Sequence, residues 1–341
     1  MTRARVLITG ASGGLAEIVA EVLQGKFELV GVDPRPMPEG REFPGKFYQI
    51  DYRQRKMADL FRTHEFEAMV HLGRVPAAAR LRKTQRFNLN VLGTRSLLDL
   101  ALKYKVKSCI VLSTFHVYGA HQHNHLYISE EDPLLASQTY SEIVDAVELD
   151  NVSVAFSLRN PKVRTVVLRP TNIIGKRIMN QISLYLRGNM CPTLLGYDPM
   201  WQFIDENDMA NAILLALEGK KSGIYNVSGE GVIALSHAIR LSGGNPVPVP
   251  GFLSNAVITG MKFAGLNFPK HLVDFFKYPV VISDKNFRKD FGYEPKSSTA
   301  DALRALRIEA LPDIPGGRAA PAPTTDSTEA AEEEKLQRTT T

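Results

Sequence analysis

Several features that mark broad protein classes are scarce or missing in this chain. Its 341 residues hold two cysteines, Cys109 and Cys191. Two thiols build no disulfide framework, and such usage fits a reducing compartment. Cys109 sits in an apolar run and reads as a small core residue. No run of about twenty uninterrupted apolar residues occurs, so no membrane span is expected. No long block of Lys and Arg occurs either, and the net charge of +5 is spread along the chain. A nucleic-acid partner is therefore not expected. An apolar run begins at Ala4, so no secretory leader is expected, and the expected location is the cytoplasm. No internal repeat is visible. From Pro312 onward large apolar residues almost vanish, and 312–341 reads as a disordered tail with an acidic run at Glu332 to Glu334.

What is present is organised around Thr9-Gly10-Ala11-Ser12-Gly13-Gly14-Leu15-Ala16. An apolar run, Ala4 to Ile8, precedes it and reads as a buried strand. Leu15 to Leu23 follows, with apolar residues at helical spacing. A strand, a glycine turn and a helix in that order make a phosphate cradle. Gly10 permits the tight turn, and Gly13 lets the backbone approach a pyrophosphate. The free N–H groups at the helix start hold the anionic charge. Ala16 takes the third small position. A second strand, Phe27 to Val32, ends at Asp33. A carboxylate there hydrogen-bonds a ribose 2′-hydroxyl and repels a 2′-phosphate, which favours NAD over NADP. Arg35 lies close enough to soften that preference. The plainer alternative is an ordinary strand–turn–helix with a surface Asp.

Further strands are read at Phe47 to Ile50, Ala68 to Leu72, Ser108 to Ser113 and Arg164 to Leu168. Helices are read at Asp59 to His64, Thr84 to Tyr104 and from Ser137 onward. Strand–helix alternation at about thirty residues per unit predicts a doubly wound α/β fold with a parallel sheet covered on both faces. Beyond Gly175 the rhythm changes. Helical stretches (Lys176 to Arg187, Glu206 to Leu217, Leu235 to Leu241, Leu253 to Ala264) alternate with extended pieces such as Ile224 to Val227 and Val280 to Ile282. This predicts a cofactor-binding domain over 1–175 and a smaller mixed lobe over 176–311. The stretch Glu206 to Leu217 could return to the main sheet.

Several stretches resemble the extended short-chain dehydrogenase/reductases of the NAD-dependent epimerase/dehydratase family. They are TGASGGLA, Asp33 with Asp51, HLGR at His71, NLNVLGTRSLLDLA from Asn88, VLSTFHVYGAH from Val111, LRPTNIIG from Leu168, FIDENDMANAI from Phe203 and YNVSG from Tyr225. The likeness is greatest to a UDP-glucose 4-epimerase-like subgroup, through the YGAH loop and the segment Phe276, Tyr278, Pro279 and Asp284. It implies a Rossmann domain with NAD as cofactor and a small-molecule substrate carrying a secondary alcohol or ketone. Implied cofactor contacts are Gly10, Ser12, Gly13, Gly14, Leu15, Asp33, Asp51, Leu72, Asn90 and Pro170. Implied catalytic groups are Tyr140, a general base, and Thr114, which orients the substrate hydroxyl. Family members often dimerise through the long helix and the tyrosine helix, so a homodimer is implied as well.

Two departures stand out. The family carries Tyr-x-x-x-Lys on one helix, with the lysine one turn beyond the tyrosine. Here the stretch reads Tyr140-Ser141-Glu142-Ile143-Val144, and no lysine occurs between Lys107 and Lys162. A cation near a phenol typically lowers its pKa by about 1–3 units, so its loss is worth on the order of ten- to a thousandfold in rate. By motif position Arg74, Lys176 and Arg177 are candidates to replace it. Many nucleotide-sugar members also place an Arg before the segment that here begins at Phe203. This chain has Met200-Trp201-Gln202, an aromatic platform without a bidentate phosphate clamp.

Four histidines, His116, His121, His123 and His125, surround Gly119. They could bind metal, but they lack a second-ligand pattern, and no metal site is expected. His71 reads as a packed residue rather than a proton shuttle. Leu253 to Ala264 reads as a lobe core helix rather than an interfacial membrane helix. Three functions follow: an NAD-dependent epimerase/dehydratase-type oxidoreductase, a catalytically impaired dinucleotide-binding sensor or scaffold, and a reductase of a non-sugar carbonyl.

Overall fold

In the computed structural model residues 3–79, 81–263, 269 and 271–307 are described. The predicted tail, 312–341, lies outside them.

Seven strands form one parallel sheet. They are β1 (Arg5–Thr9), β2 (Glu28–Asp33), β3 (Lys46–Gln49), β4 (Ala68–His71), β5 (Ser108–Leu112), β6 (Arg164–Pro170) and, after four strands of the lobe, β11 (Gly223–Val227). Their order is β11-β6-β5-β4-β1-β2-β3. Successive residues of β1 serve opposite faces, as the pleat requires. Val6 and Ile8 pack under α1 (Gly14–Leu23) and the later helix α8 (Glu206–Glu218). Leu7 packs with Val30, Met69, Cys109 and Val111 under α2 (Arg55–His64), α4 (Gly93–Lys103) and α6 (Val144–Arg159). Both faces are thus dry, which is why the strands read as near-continuous apolar runs. The predicted doubly wound sheet is the observed one.

The stretch Thr84 to Tyr104 is helical, but not uniformly so. It comprises α3 (Lys83–Phe87), a π-helical turn over Asn88–Leu92 and α4. The helix read from Ser137 is interrupted. Only α5 (Ala136–Thr139) precedes a non-helical link at 140–143, and α6 begins at Val144.

Beyond β6 the chain forms β7 (Asn172–Ile174), α7 (Gln181–Leu186), β8 (Met190–Leu194), β9 (Met200–Trp201) and β10 (Phe203–Asp205). It then returns through α8 and β11 to the main sheet. The rest comprises β12 (Ile233–Ala234), α9 (Leu235–Leu241), β13 (Asn245–Val249), α10 (Ser254–Phe263), α11 (Leu272–Phe275), α12 (Lys285–Phe291) and α13 (Thr299–Arg307). Three small pairings, β7 with β10, β8 with β13 and β9 with β12, build the lobe around Phe115, Trp201, Phe203 and Phe276. The helix expected from Lys176 begins only at Gln181, because the Asn180 side chain caps it by accepting from the Ser183 N–H at 2.8 Å. Val280 to Ile282 makes one bridge, Ile282 to Ile128, rather than a strand. Among the described residues no helix is long and apolar enough to cross a membrane.

Candidate active site

The turn after β1 is set by steric necessity. Gly10 has φ +73°, and a Cβ on it would lie 2.8 Å from the backbone of Leu72 and Gly73. Its N–H donates to the Tyr52 hydroxyl at 2.9 Å. Gly13 donates to the Gly10 carbonyl at 3.0 Å and stands just before α1, so the free N–H groups of Gly14 and Leu15 open the helix. A Cβ on Gly14 would strike the Arg177 carbonyl. Inside this turn the Ser12 hydroxyl is buried with no hydrogen-bond partner. An orphaned hydroxyl beside free helix-start amides, in a cradle that tolerates no Cβ at Gly10, fits a dinucleotide phosphate.

Asp33, at the end of β2, is buried, and it accepts from the Ser12 N–H at 3.2 Å. The Arg35 guanidinium grips it through two bonds of 3.1 Å. Arg35 therefore sits on the carboxylate that would meet the ribose. Asp51 is paired with Arg53 at 2.9 Å. Leu72 follows β4 and donates to the Thr9 carbonyl at 3.1 Å.

A cavity of about 140 Å³ opens at the carboxyl ends of β4, β5 and β6, where ligands of open sheets bind. Thr114, Pro170, Thr171, Arg74, His116 and His271 contribute to its lining. Thr171 Oγ1 and His271 Nδ1 are buried without partners. Thr114 starts a short 3₁₀ turn, Phe115–Tyr118, and its Oγ1 accepts from the His116 N–H at 3.4 Å and lies 3.3 Å from His116 Nδ1. A buried network holds this turn from below. Ser113 donates to Asp150 at 2.5 Å, and Arg169 grips Asp150 at 2.7 and 2.9 Å. Arg169 also reaches the Tyr118 hydroxyl at 3.0 Å, which donates to Asn226 at 2.8 Å.

Asn90 lies in the π turn. Its side chain exchanges bonds of 2.7 and 2.9 Å with the Val75 backbone and donates to Asp145 at 2.6 Å. Asp145 is paired with the buried Arg86 at 2.8 Å, and Arg86 also donates to the Glu142 carbonyl. Asn90 thus ties the loop after β4 to the start of α6.

Tyr140 occupies the non-helical link, with φ −121° and ψ 100°. Its hydroxyl is bonded to the Ala120 carbonyl at 2.9 Å and the Asp274 carboxylate at 3.0 Å. Burial, and then the Asp274 charge, push the phenol above its ordinary pKa. It is not among the residues lining the cavity. The structure brings Thr114, Pro170 and Arg74 together and leaves Tyr140 outside them. With Val144 opening α6 and Tyr140 outside it, the two positions no longer stand one helical turn apart.

The NAD dependent epimerase/dehydratase family matches residues 6–228. The chain belongs to this family. Among its relatives, an uncharacterized protein of Mycobacterium tuberculosis is 28% identical over 87% of this chain and 82% of its own. A UDP-glucose 4-epimerase of Dictyostelium discoideum is 23% identical over 71% of this chain and 70% of its own. Among solved structures, a Thermus thermophilus UDP-glucose 4-epimerase in complex with NAD shares the fold with a TM-score of 0.71, at 17% identity over 89% of this chain and 98% of that one. The family is NAD-dependent, and NAD is the cofactor that the cradle fits.

Within this epimerase/dehydratase frame, three sequence readings need correction or completion. Trp201 is no open platform. Its indole is buried against Phe203 and Phe276 and donates to the Phe275 carbonyl at 3.0 Å. Gln202 is turned inward as well, bonded to the Ile282 backbone at 2.8 and 3.1 Å. Of the three candidate cations only Arg74 lines the cavity, while Arg177 is held by Glu21 at 2.6 Å. Among the cleft residues that sequence reasoning did not assign to the site are His116, His271 and Thr171. The signal for two of them was adjacency, since His116 follows Thr114 by two positions and Thr171 follows Pro170.

The four loop histidines disperse. His116 enters the cleft, His121 stacks on Tyr140, His123 meets Gln122 and His125 pairs with Asp132. Among the described residues no three His, Cys, Asp or Glu side chains gather in a way that could hold a metal ion. His71 is a packed residue between the hydroxyls of Thr9 at 2.5 Å and Thr94 at 2.8 Å.

Burial lowers both His71 and His271 to a pKa of about 4. In the unfolded chain they titrate near about 6.5. Between those values the unfolded state binds more protons than the folded one, so stability rises with pH across that window and levels off above it. Each ring contributes a loss of roughly 3 kcal/mol on going from neutral pH to about pH 4. Urea unfolding as a function of pH measures this, and His71→Gln is expected to flatten the slope. An unchanged slope in that variant would contradict the assignment.

Proposed function

We propose that this protein transfers a hydride between NAD and the carbinol carbon of a secondary alcohol or its ketone, with sugar alcohols as the first substrate class. The observation that carries this reading is a cleft on the same sheet as the glycine cradle. The Thr114 hydroxyl and the orphaned Thr171 hydroxyl line a cavity at the carboxyl ends of the same sheet that bears the glycine cradle. NAD, when bound, supplies the hydride acceptor. Ser12, Gly13, Gly14 and Leu15 would hold its phosphates and Asp33 would select the ribose hydroxyl, while Pro170 and Thr171 line the substrate cavity. Thr114 fixes the substrate hydroxyl. Support for sugars comes from relatives named as UDP-glucose 4-epimerases and from a structural neighbour of TM-score 0.70, MoeE5 in complex with UDP-glucuronic acid and NAD.

The placement of Tyr140 favours a second reading, a dinucleotide-binding sensor or scaffold with little turnover. Val144→Lys would not rebuild the family's pair, because Tyr140 lies outside α6. The two readings are separated with the full-length protein. The copurifying dinucleotide is released and identified, and its affinity is compared with that of NADP. UDP-glucose and UDP-glucuronic acid are then added to the NAD-loaded protein, and absorbance near 340 nm is followed. NAD bound at least about tenfold tighter than NADP, with reduction of bound NAD by a sugar, is the expected result. Binding without reduction by any secondary alcohol supports the sensor, and failure to bind either dinucleotide ends both readings.

A further inference from the structure

The cleft needs a group to take the hydroxyl proton, and the tyrosine implied by the family likeness is badly placed to do so. Its hydroxyl is already held by a carbonyl and a carboxylate, and a phenol donating to a carboxylate is not a base. The geometry points to His116, acting through the Thr114 hydroxyl, as the acid–base group of this site. This inference rests on the hydride-transfer reading above.

The arrangement at Thr114 is directional. Its Oγ1 accepts the His116 backbone N–H at 3.4 Å, which uses one lone pair. A second lone pair remains for a substrate hydroxyl. The threonine's own proton is then free to point at His116 Nδ1, 3.3 Å away. The imidazole is fixed in plane. Phe115 packs beside it with ring centroids 4.3 Å apart, and Phe275 meets it edge-on at 4.7 Å. Its neighbours around the cavity are Arg74 from the loop after β4, His271 ahead of α11, Glu142 in the link before α6 and Asp145 in the first turn of α6. Burial first, then His271 and Arg74, hold His116 well below the ordinary imidazole range. At neutral pH the ring is therefore uncharged, and Tyr140 remains a phenol.

The carbinol C–H bond breaks and its hydrogen leaves as hydride to NAD, which is reduced. The substrate O–H proton passes to Thr114 Oγ1 as the threonine's own proton passes to His116 Nδ1. The products are the ketone, NADH and a His116 imidazolium, with Thr114 unchanged. The reverse step returns the proton to the alkoxide oxygen as the ketone is reduced.

The test uses the full-length protein and two independent readouts. In the first, histidine side-chain ¹⁵N NMR is recorded with and without NAD. Nδ1 of His116 is expected to be the unprotonated acceptor, with the proton on Nε2, and Thr114→Val is expected to shift the Nδ1 resonance. In the second, reduction of bound NAD by UDP-glucose or UDP-glucuronic acid is followed as a function of pH. His116→Gln is expected to lower the rate by about a hundredfold or more, and its loss should exceed that of Tyr140→Phe at least about tenfold. The wild-type rate should stay flat from roughly pH 6 to pH 9, where a phenol base would give a steady rise. A proton found on Nδ1, indifference of Nδ1 to Thr114→Val, or a His116→Gln rate within about threefold of wild type would each overturn the proposal. Loss of dinucleotide binding in the wild type would instead remove the hydride-transfer reading itself, and it is measured separately.

Discussion

Replacing Arg169 by Met is expected to lower the unfolding free energy by about 3–5 kcal/mol. Arg169 is only 3% exposed, and Asp150, which it grips, is 0% exposed. Removing the guanidinium leaves the carboxylate in an apolar interior with the Ser113 hydroxyl as its nearest remaining donor. An uncompensated buried charge costs far more than the pair gains by existing, so one deletion is worse than two. The double variant Arg169→Met, Asp150→Leu should therefore recover much of the loss. Urea unfolding of the single and double variants measures both quantities. A single-variant loss below about 1 kcal/mol would show that water reaches Asp150. The single variant should also loosen the turn that carries Thr114, since Ser113 loses a fixed partner and the Tyr118 hydroxyl loses a donor.

Gly10→Ala should abolish dinucleotide binding, with affinity falling by at least about a hundredfold, or roughly 2.7 kcal/mol. Two costs act together. The residue sits at φ +73°, where a side chain strains the backbone by roughly 1–2 kcal/mol. The new Cβ also lands 2.8 Å from the backbone of Leu72 and Gly73, which cannot rotate out of the way. The turn must shift, and the amides and the Ser12 hydroxyl that it aims shift with it. Gly25→Ala is the control, because a Cβ there meets nothing within 4 Å. Isothermal titration with NAD on both variants decides the matter. Unchanged affinity in Gly10→Ala would mean that the turn plays no part in cofactor binding.

Much of the fold is legible locally because its causes are local. The strand, glycine turn and helix from Arg5 to Leu23 sit where apolar periodicity and two glycines put them, and α8 and α9 follow their apolar spacing in the same way. The site is less legible because its decisive contacts are distant in sequence. The break before α6 is held by Arg86, which reaches the Glu142 carbonyl and Asp145 across more than fifty residues. Asp274, which holds the Tyr140 hydroxyl, lies 134 residues away. No periodicity reports either contact. Trp201 shows the same limit, since an aromatic beside a motif reads equally well as a ligand platform or as core. Here two aromatic neighbours, Phe203 and Phe276, and one carbonyl make it core.

One outermost strand of the main sheet, β11, comes from the second half of the chain and pairs with β6 from Val166 to Pro170. The polypeptide therefore leaves the sheet to build the far wall of the cleft and comes back to close its edge. A chain cut at the predicted boundary near 175 would leave the Val166–Pro170 ladder open, a row of unmatched amides and carbonyls that invites another chain to add to it. The cofactor half and the substrate half thus share one sheet. They are expected to unfold in one cooperative transition, so that substrate-side substitutions register in the thermal stability of the cofactor side, as calorimetry of such variants would measure.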